Sequence, residues 1–311
     1  MSDFVNGGWG LYVTVISLLS IAGCAYLLWN VGREKIGKRG ETTGHVWDTD
    51  LVELNNPMPK WWMGLFYITI VFAIIYLALY PGLGSYKGLL GWTQVEQHAQ
   101  EAHQIEAESK PLYDEFMRKD TAALSQDPRA MGVGERIFLN NCAQCHGSDG
   151  RGAKGYPNLT DSDWLWGGEP EAIKTSILKG RNGMMPALAD AIGSAADVEN
   201  LVQYVLSLSG GGSDPVKVAL GREKFAVCAA CHGPTGAGNT ALGAPNLTDK
   251  IWLYGGGDAA VTEAVRKGRA GVMPAHAERL SEAQAHVLTA YVWGLSRSAQ
   301  TSSVNTAPPA K

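Results

Sequence analysis

The sequence is short of charge and of cysteine, and each shortage narrows what the chain can be. Charged residues make up 18% of its 311 positions and the formal net charge is −4, so the balance argues neither for nor against nucleic acid as a partner. With charge this sparse and aromatics gathered in blocks, apolar segments must alternate with small soluble domains. The length has room for two or three compact units of ~100–200 residues. Cysteine occurs five times. Four of the five fall in Cys142-Ala143-Gln144-Cys145-His146 and Cys228-Ala229-Ala230-Cys231-His232, and Cys24 lies alone in an apolar run. No thiol is left over to complete a four-thiolate metal site. Strand signals are scarce as well, and the expected fold is mostly α.

Two runs are apolar enough to cross a membrane. Leu11 to Val31 is 21 residues without a charge, bracketed by Trp9 and Trp29, and a second run extends from Trp61 to Tyr80. A spanning helix needs ~20 apolar residues, with Trp and Tyr at its interfaces. Two N-terminal transmembrane helices are therefore expected, at 1–32 and 61–81, joined by a loop at 33–60. That loop carries Arg33, Lys35, Lys38, Arg39 and Lys60, whereas the first ten residues carry no Lys or Arg. The positive-inside rule makes the loop cytoplasmic and places both termini outside. Ile21-Ala22-Gly23-Cys24 resembles a lipoprotein cleavage box. A signal peptide, however, carries its positive charge before the apolar core, and here it follows. Cys24 reads as a small lipid-buried residue, with lipidation as the alternative.

A connector at 82–130 follows, glycine-rich at first and then polar, with a solvated helix as its simplest content. Beyond it the chain repeats itself. Pro157-Asn158-Leu159-Thr160-Asp161 returns 88 positions later as Pro245-Asn246-Leu247-Thr248-Asp249, and the two cysteine motifs are 86 apart. Such a period, with a full set of signals in each copy, means tandem domains. Their expected bounds are 131–209 and 217–298, with a linker at 210–216 and a flexible tail at 299–311. Each copy opens with a short helix such as Val133 to Asn141. The closing helices are longer, Ala196 to Leu208 and Ser281 to Ser296. Domains of ~80 residues are too small for a rich core of side chains alone, and a haem would supply the missing apolar centre.

The cysteine motifs provide for that haem. In C-x-x-C-H one helical turn brings both thiols to one porphyrin edge for thioether linkage, and the adjacent His lies beneath the iron. Cys142, Cys145, Cys228 and Cys231 are thus the covalent attachment points, and His146 and His232 the proximal ligands. Thiol redox chemistry and zinc binding also use C-x-x-C, but here both copies carry the His. Each copy also offers a sixth ligand. Asn182-Gly183-Met184-Met185-Pro186 aligns with Ala270-Gly271-Val272-Met273-Pro274, so Met184 pairs with Val272 and reads as packing, while Met185 and Met273 correspond. Two covalently bound haem c groups with His/Met ligation follow. The simplest assignment gives each Met to the haem of its own repeat, and exchange between the repeats is the alternative. His276 is a second candidate ligand, His286 a structural residue, and His45, His98 and His103 lie outside both repeats. Trp164, Trp166, Trp252 and Tyr254 are expected to pack beside the haems. Iron with both axial positions filled has no site for oxygen or substrate, which points to electron transfer and against a peroxidase.

The repeats resemble class I cytochromes c. A more specific likeness surrounds the second span: His45-Val46-Trp47-Asp48, Asp50-Leu51 and Glu53-Leu54-Asn55-Asn56-Pro57-Met58-Pro59-Lys60-Trp61-Trp62, with Gly91-Trp92-Thr93-Gln94 after it, resemble the dihaem subunit III of cbb3-type cytochrome c oxidases. The resemblance implies an electron-transfer subunit of a proton-pumping oxidase and no enzyme by itself. It would take electrons from a donor cytochrome c and pass them to a monohaem subunit, while oxygen is reduced in a subunit with haem b and copper. It implies a two-pass protein of the bacterial inner membrane with both haem domains periplasmic. The first span is a departure, since some members have only the second. The other reading is a free-standing, membrane-anchored dihaem carrier. A third is an assembly protein using its CxxC pairs for thiol chemistry.

Overall fold

The computed structural model describes residues 6–33, 40–56, 58–211 and 214–304, with side chains as far as 297. Lys35, Lys38, Arg39, Pro57, Gly212, Ser213 and the tail from 305 lie outside the described residues. The chain divides into two compact units, Met1–Glu108 and Ser109–Lys311.

In the first unit, α1 (Gly7–Arg33) and α2 (Lys60–Leu79) are the two apolar runs. At 1.5 Å per residue their 27 and 20 residues are long enough to cross a membrane. Only Gly10 and Leu28 of α1 are buried, and no residue of α2, so the sides of both helices stand open. Between them lies a hairpin that the sequence reading did not anticipate. β1 (Thr42–Trp47) pairs antiparallel with β2 (Leu51–Leu54), and Asp48 takes a φ of 53° in the reversal. Val46, Trp47, Leu51 and Val52 around Asp48-Thr49-Asp50 are β-formers flanking turn residues, so the signal was there.

α3 (Gln94–Phe116) leads into the second unit. It is followed by α4 (Thr121–Leu124), α5 (Pro128–Asn141), α6 (Ala143–His146), α7 (Pro170–Lys179) and β3 (Arg181–Met185). Then come α8 (Ala189–Ile192), α9 (Ala195–Leu208), α10 (Pro215–Lys224), α11 (Ala226–His232), α12 (Asp258–Lys267), β4 (Arg269–Met273) and α13 (Glu282–Val304). α5 and α10 both begin Asp-Pro. Asp127 and Asp214 accept hydrogen bonds from first-turn amides, and Pro128 and Pro215 sit where a helix needs no N–H donor. The first repeat's opening helix thus starts five residues before Val133. α13 runs on to Val304, past the boundary expected at Ser298.

The repeats do not close on themselves. One core joins Ile137, Phe138, Ile173 and Ile177 of the first repeat to Leu280, Ala285, Leu288 and Val292 of α13. The other joins Val198, Leu201, Val202 and Val205 of α9 to Phe225, Cys228, Leu247, Val261 and Val265 of the second repeat. Each lobe therefore combines the opening part of one repeat with the closing helix of the other. We call them the first lobe (α5, α6, α7, α13) and the second lobe (α8–α12). Burying each of Phe138, Leu201 and Leu288, all at 0% exposure, stabilises by ~1.5–3 kcal/mol.

The exchange follows from a short connection. α9 ends at Leu208 and α10 starts at Pro215, and helices joined by so few residues become antiparallel neighbours. Residues 209–214, expected to separate two domains, are instead the turn of a helical hairpin inside one lobe. Gly221 of α10 lies against the backbone of Asn200 in α9, where a Cβ would collide with the Asn200 carbonyl. With α10 paired to α9, α13 is left for α5, and Gly134 meets Tyr291 there. Polar ties cross the same seams: Lys224 to Asp197 at 3.0 Å and Lys174 to Glu282 at 2.9 Å.

Candidate haem-binding sites

The proximal side is built twice from the same bonds. The cysteine motifs fold as the short helices α6 and α11, each ending at a glycine with positive φ, Gly147 and Gly233. The chain then loops back. Gly152 N–H donates to His146 O at 2.7 Å and Gly238 N–H to His232 O at 2.8 Å. Asn158 Oδ1 accepts from the Thr160 amide at 2.9 Å, and Asn246 from the Thr248 amide at the same distance. These turns aim the prolines that the repeat had marked without assigning them a role. His146 Nδ1 lies 2.9 Å from Pro157 O and His232 Nδ1 2.9 Å from Pro245 O. A carbonyl only accepts, so each Nδ1 carries the proton and each Nε2 is left with a free lone pair, the usual arrangement for a metal-ligating histidine. Both histidines are buried. Burial, against that hydrogen bond, holds His146 below the ordinary histidine value.

The thiols are poor candidates for redox exchange. Burial, with its partner cysteine as a lesser cause, pushes Cys142 up to about 11, and the same holds for Cys228. A reactive thiolate needs the opposite shift.

The distal side departs from the simplest assignment. β3 and β4 pair antiparallel across the two lobes, with Arg181 opposite Met273 and Met185 opposite Arg269. On this ribbon Met184 and Val272 face solvent at 83% and 73% exposure, whereas Met185 and Met273 are partly buried. Met185 packs against the core that contains Cys228, beside Trp252. Beyond it, Leu188 N–H donates to Val265 O at 2.9 Å. On the other strand, His276 N–H donates to Ile177 O at 3.0 Å, and the His276 side chain is near enough to act electrostatically on His146. Each methionine thus enters the lobe of the other repeat's histidine.

The remaining candidates take clear positions. Trp164 packs into the first core and Trp252 into the second. Trp166 lies under Arg181 at 5.0 Å and Tyr254 under Arg269 at 4.8 Å. They also wedge the lobes together, Trp166 against Gly243 and Tyr254 against Gly155. The two arginines, 88 positions apart, had gone unremarked in the sequence. His286 Nε2 lies 2.9 Å from Lys119 O, a structural contact. His45 stacks by Trp47, His98 and His103 are exposed on α3, and Cys24 is exposed on α1.

Imidazole Nε2, paired thiols in an apolar setting and a buried thioether are the donors a c-type haem requires. The side chains also leave two buried nitrogens unpaired beside the distal loops, Arg269 Nε and His276 Nδ1, which a haem edge bearing propionates could satisfy. Comparison with known proteins agrees. A sequence profile described as cytochrome c oxidase, cbb3-type, subunit III, matches residues 129–205 and 220–292, and one for the N-terminal domain of cytochrome oxidase-cbb3, FixP, matches 39–87. The chain belongs to the subunit III family of cbb3-type cytochrome c oxidases. It is 55% identical to a cbb3-type cytochrome c oxidase subunit CcoP of Rubrivivax gelatinosus over 98% of this chain and 99% of the relative. It is 42% identical to a CcoP of Cereibacter sphaeroides, over 83% and 96%. A FixP of Azorhizobium caulinodans is also 42% identical, over 81% and 91%. As expected, this subunit III relative is mostly helical, with two apolar N-terminal helices and two cytochrome c domains in sequence.

Proposed function

We propose that the chain is the electron-entry subunit of a cbb3-type oxidase, carrying two covalent haem c groups whose distal methionines are exchanged between the repeats. Cys142, Cys145 and His146 hold one haem and Met273 caps it; Cys228, Cys231 and His232 hold the other, capped by Met185. The observation that carries this reading is the β3–β4 ribbon, which brings each methionine to the lobe of the opposite cysteine motif.

Bound there, haem supplies a one-electron iron couple, and a thioether ligand raises its potential. The residues do the rest. Pro157 and Pro245 carbonyls fix the histidine tautomers, and the thioether links keep each ring in place. Filled axial positions exclude oxygen, so electrons taken from a donor cytochrome c leave by outer-sphere transfer to the monohaem and catalytic haem b/copper subunits. The excess of Lys and Arg between α1 and α2 supports a cytoplasmic loop, with both termini and both lobes periplasmic in a bacterial inner membrane.

A haem and metal inventory of material extracted in mild detergent tests this reading. Two low-spin haem c per chain, travelling with haem b and copper, are expected. Recovery as a lone dihaem carrier would favour the free-standing reading, and absence of covalent haem would end the account.

A further inference from the structure

We propose that the β1–β2 hairpin docks against the Lys/Arg-bearing cytoplasmic loops of another membrane subunit of the oxidase. The inference rests on the orientation proposed above, which puts the hairpin on the cytoplasmic side.

All ten residues of the two strands are exposed. A lone two-stranded hairpin is marginal in water, because neither face is covered. This one is apolar on both. Cross-strand partners point to the same side and successive residues to opposite sides. The register therefore puts Val46, Val52 and Leu54 on one face and Trp47 with Leu51 on the other, where the His45 ring lies 4.4 Å from that of Trp47. Five large apolar side chains in 14 residues, on a ribbon with two open edges, call for a cover.

Charge decides among the possible covers. Residues 41–54 hold Glu41, Asp48, Asp50 and Glu53 and no Lys or Arg. The anionic inner leaflet attracts basic segments and repels this one. A second copy would bring the same acidic hairpin, and like charge juxtaposed across an interface is costly. The cytoplasmic loops of membrane proteins carry an excess of Lys and Arg, the complementary sign. Position agrees, because the five residues 55–59 that join β2 to α2 span at most ~17 Å. The hairpin is thereby kept at the level of a neighbouring subunit's loops. A Trp at the centre of such a contact is the residue type that most often dominates binding.

The test uses the assembled oxidase in its own membrane. A photo-crosslinking residue replaces Trp47, and a second variant combines Asp48→Lys, Asp50→Lys and Glu53→Lys. We expect the crosslink on a cytoplasmic loop of a membrane subunit of the oxidase, identified by peptide mass. We also expect co-purification of haem b with the charge-reversed chain to fall ~tenfold or more, with both haem c groups still attached. Crosslinks to lipid alone, or to a second copy of the chain, would overturn the proposal, as would undiminished co-purification of the charge-reversed chain. A Thr49→Cys variant separates this failure from that of the underlying reading. Labelling of that cysteine by an impermeant reagent from the periplasmic side would overturn the orientation and the docking together.

Discussion

The two lobes share one plan, and they differ in what is built around it. The first lobe has an outer layer that the second lacks among the described residues. Leu112, Tyr113 and Phe116 of α3 pack with Leu124, Ala130, Val287 and Ala290, and Glu115, Lys119, Asp127 and Arg129 form a chain of ion pairs over this contact. Hydrogen bonding from Lys119 and Arg129 holds Asp127 well below the usual carboxylate range. The connector therefore docks onto the first lobe. The distal loops differ too: His276 follows Met273 by three residues, where Leu188 follows Met185. A duplicated unit has thus kept its haem-holding bonds nearly identical and diverged in attachments and distal surroundings, while the exchange of closing helices makes each lobe depend on both repeats.

That dependence gives the largest expected effect. A chain ending after Gly211 would keep a complete first repeat in sequence but lose α13, the closing helix of the first lobe, and all the partners of α9. It should yield no stable low-spin cytochrome. A well-folded monohaem product with methionine ligation, seen by absorption and circular dichroism, would mean that the repeats close on themselves. Next come the ligands. Met185→His and Met273→His should each lower one potential by on the order of 0.1 V or more, within the ~0.8 V that axial ligands span. An unchanged redox titration would remove that methionine from the iron.

A smaller effect is expected at the helix crossings. Gly221→Ala puts a methyl into the Asn200 backbone, and Gly134→Ala puts one against the Tyr291 side chain. Overpacking of this kind costs ~1–3 kcal/mol, and thermal melts should show Gly221→Ala as the worse, since backbone yields less than a ring. Equal melting temperatures for both variants and the parent would contradict the crossings described. The smallest effect concerns pH. Burial, then the charges of Asp249 and Asp161, raises Asp163 to about 6 from an ordinary 3.8. Between those values the folded chain keeps a proton that the unfolded chain has lost. Stability should therefore fall as pH rises from about 4 to about 6 and then level off. Asp163→Asn should flatten this slope and raise the melting temperature slightly at pH 7. A slope that persists in the variant would assign it to another group.

Much of this was legible in the residues. Cys-x-x-Cys-His set the proximal geometry by itself, because spacing, side-chain chemistry and the helical turn are all local. The pairing of Met185 with Met273 was readable from the repeat, which set aside Met184. Their destination was not, because a repeat shows which positions correspond and not which copies touch. The clue was the six-residue step from Leu208 to Pro215, too short to hold two finished domains apart, though Ser209-Gly210-Gly211-Gly212-Ser213 reads as a linker. The Asp-Pro pairs at 127–128 and 214–215 would have fixed the helix starts. The β3–β4 ribbon had no signal of its own, since Asn182-Gly183 and Ala270-Gly271 are weak strand formers held in place by the lobes on either side.

The exchange of methionines is tested most directly by nuclear magnetic resonance on the full chain with labelled methionine methyl groups. The Met273 methyl should show through-space contacts to protons of the haem attached at Cys142 and Cys145, and the Met185 methyl to the haem at Cys228 and Cys231. Contacts of each methyl to the haem of its own repeat would contradict the account.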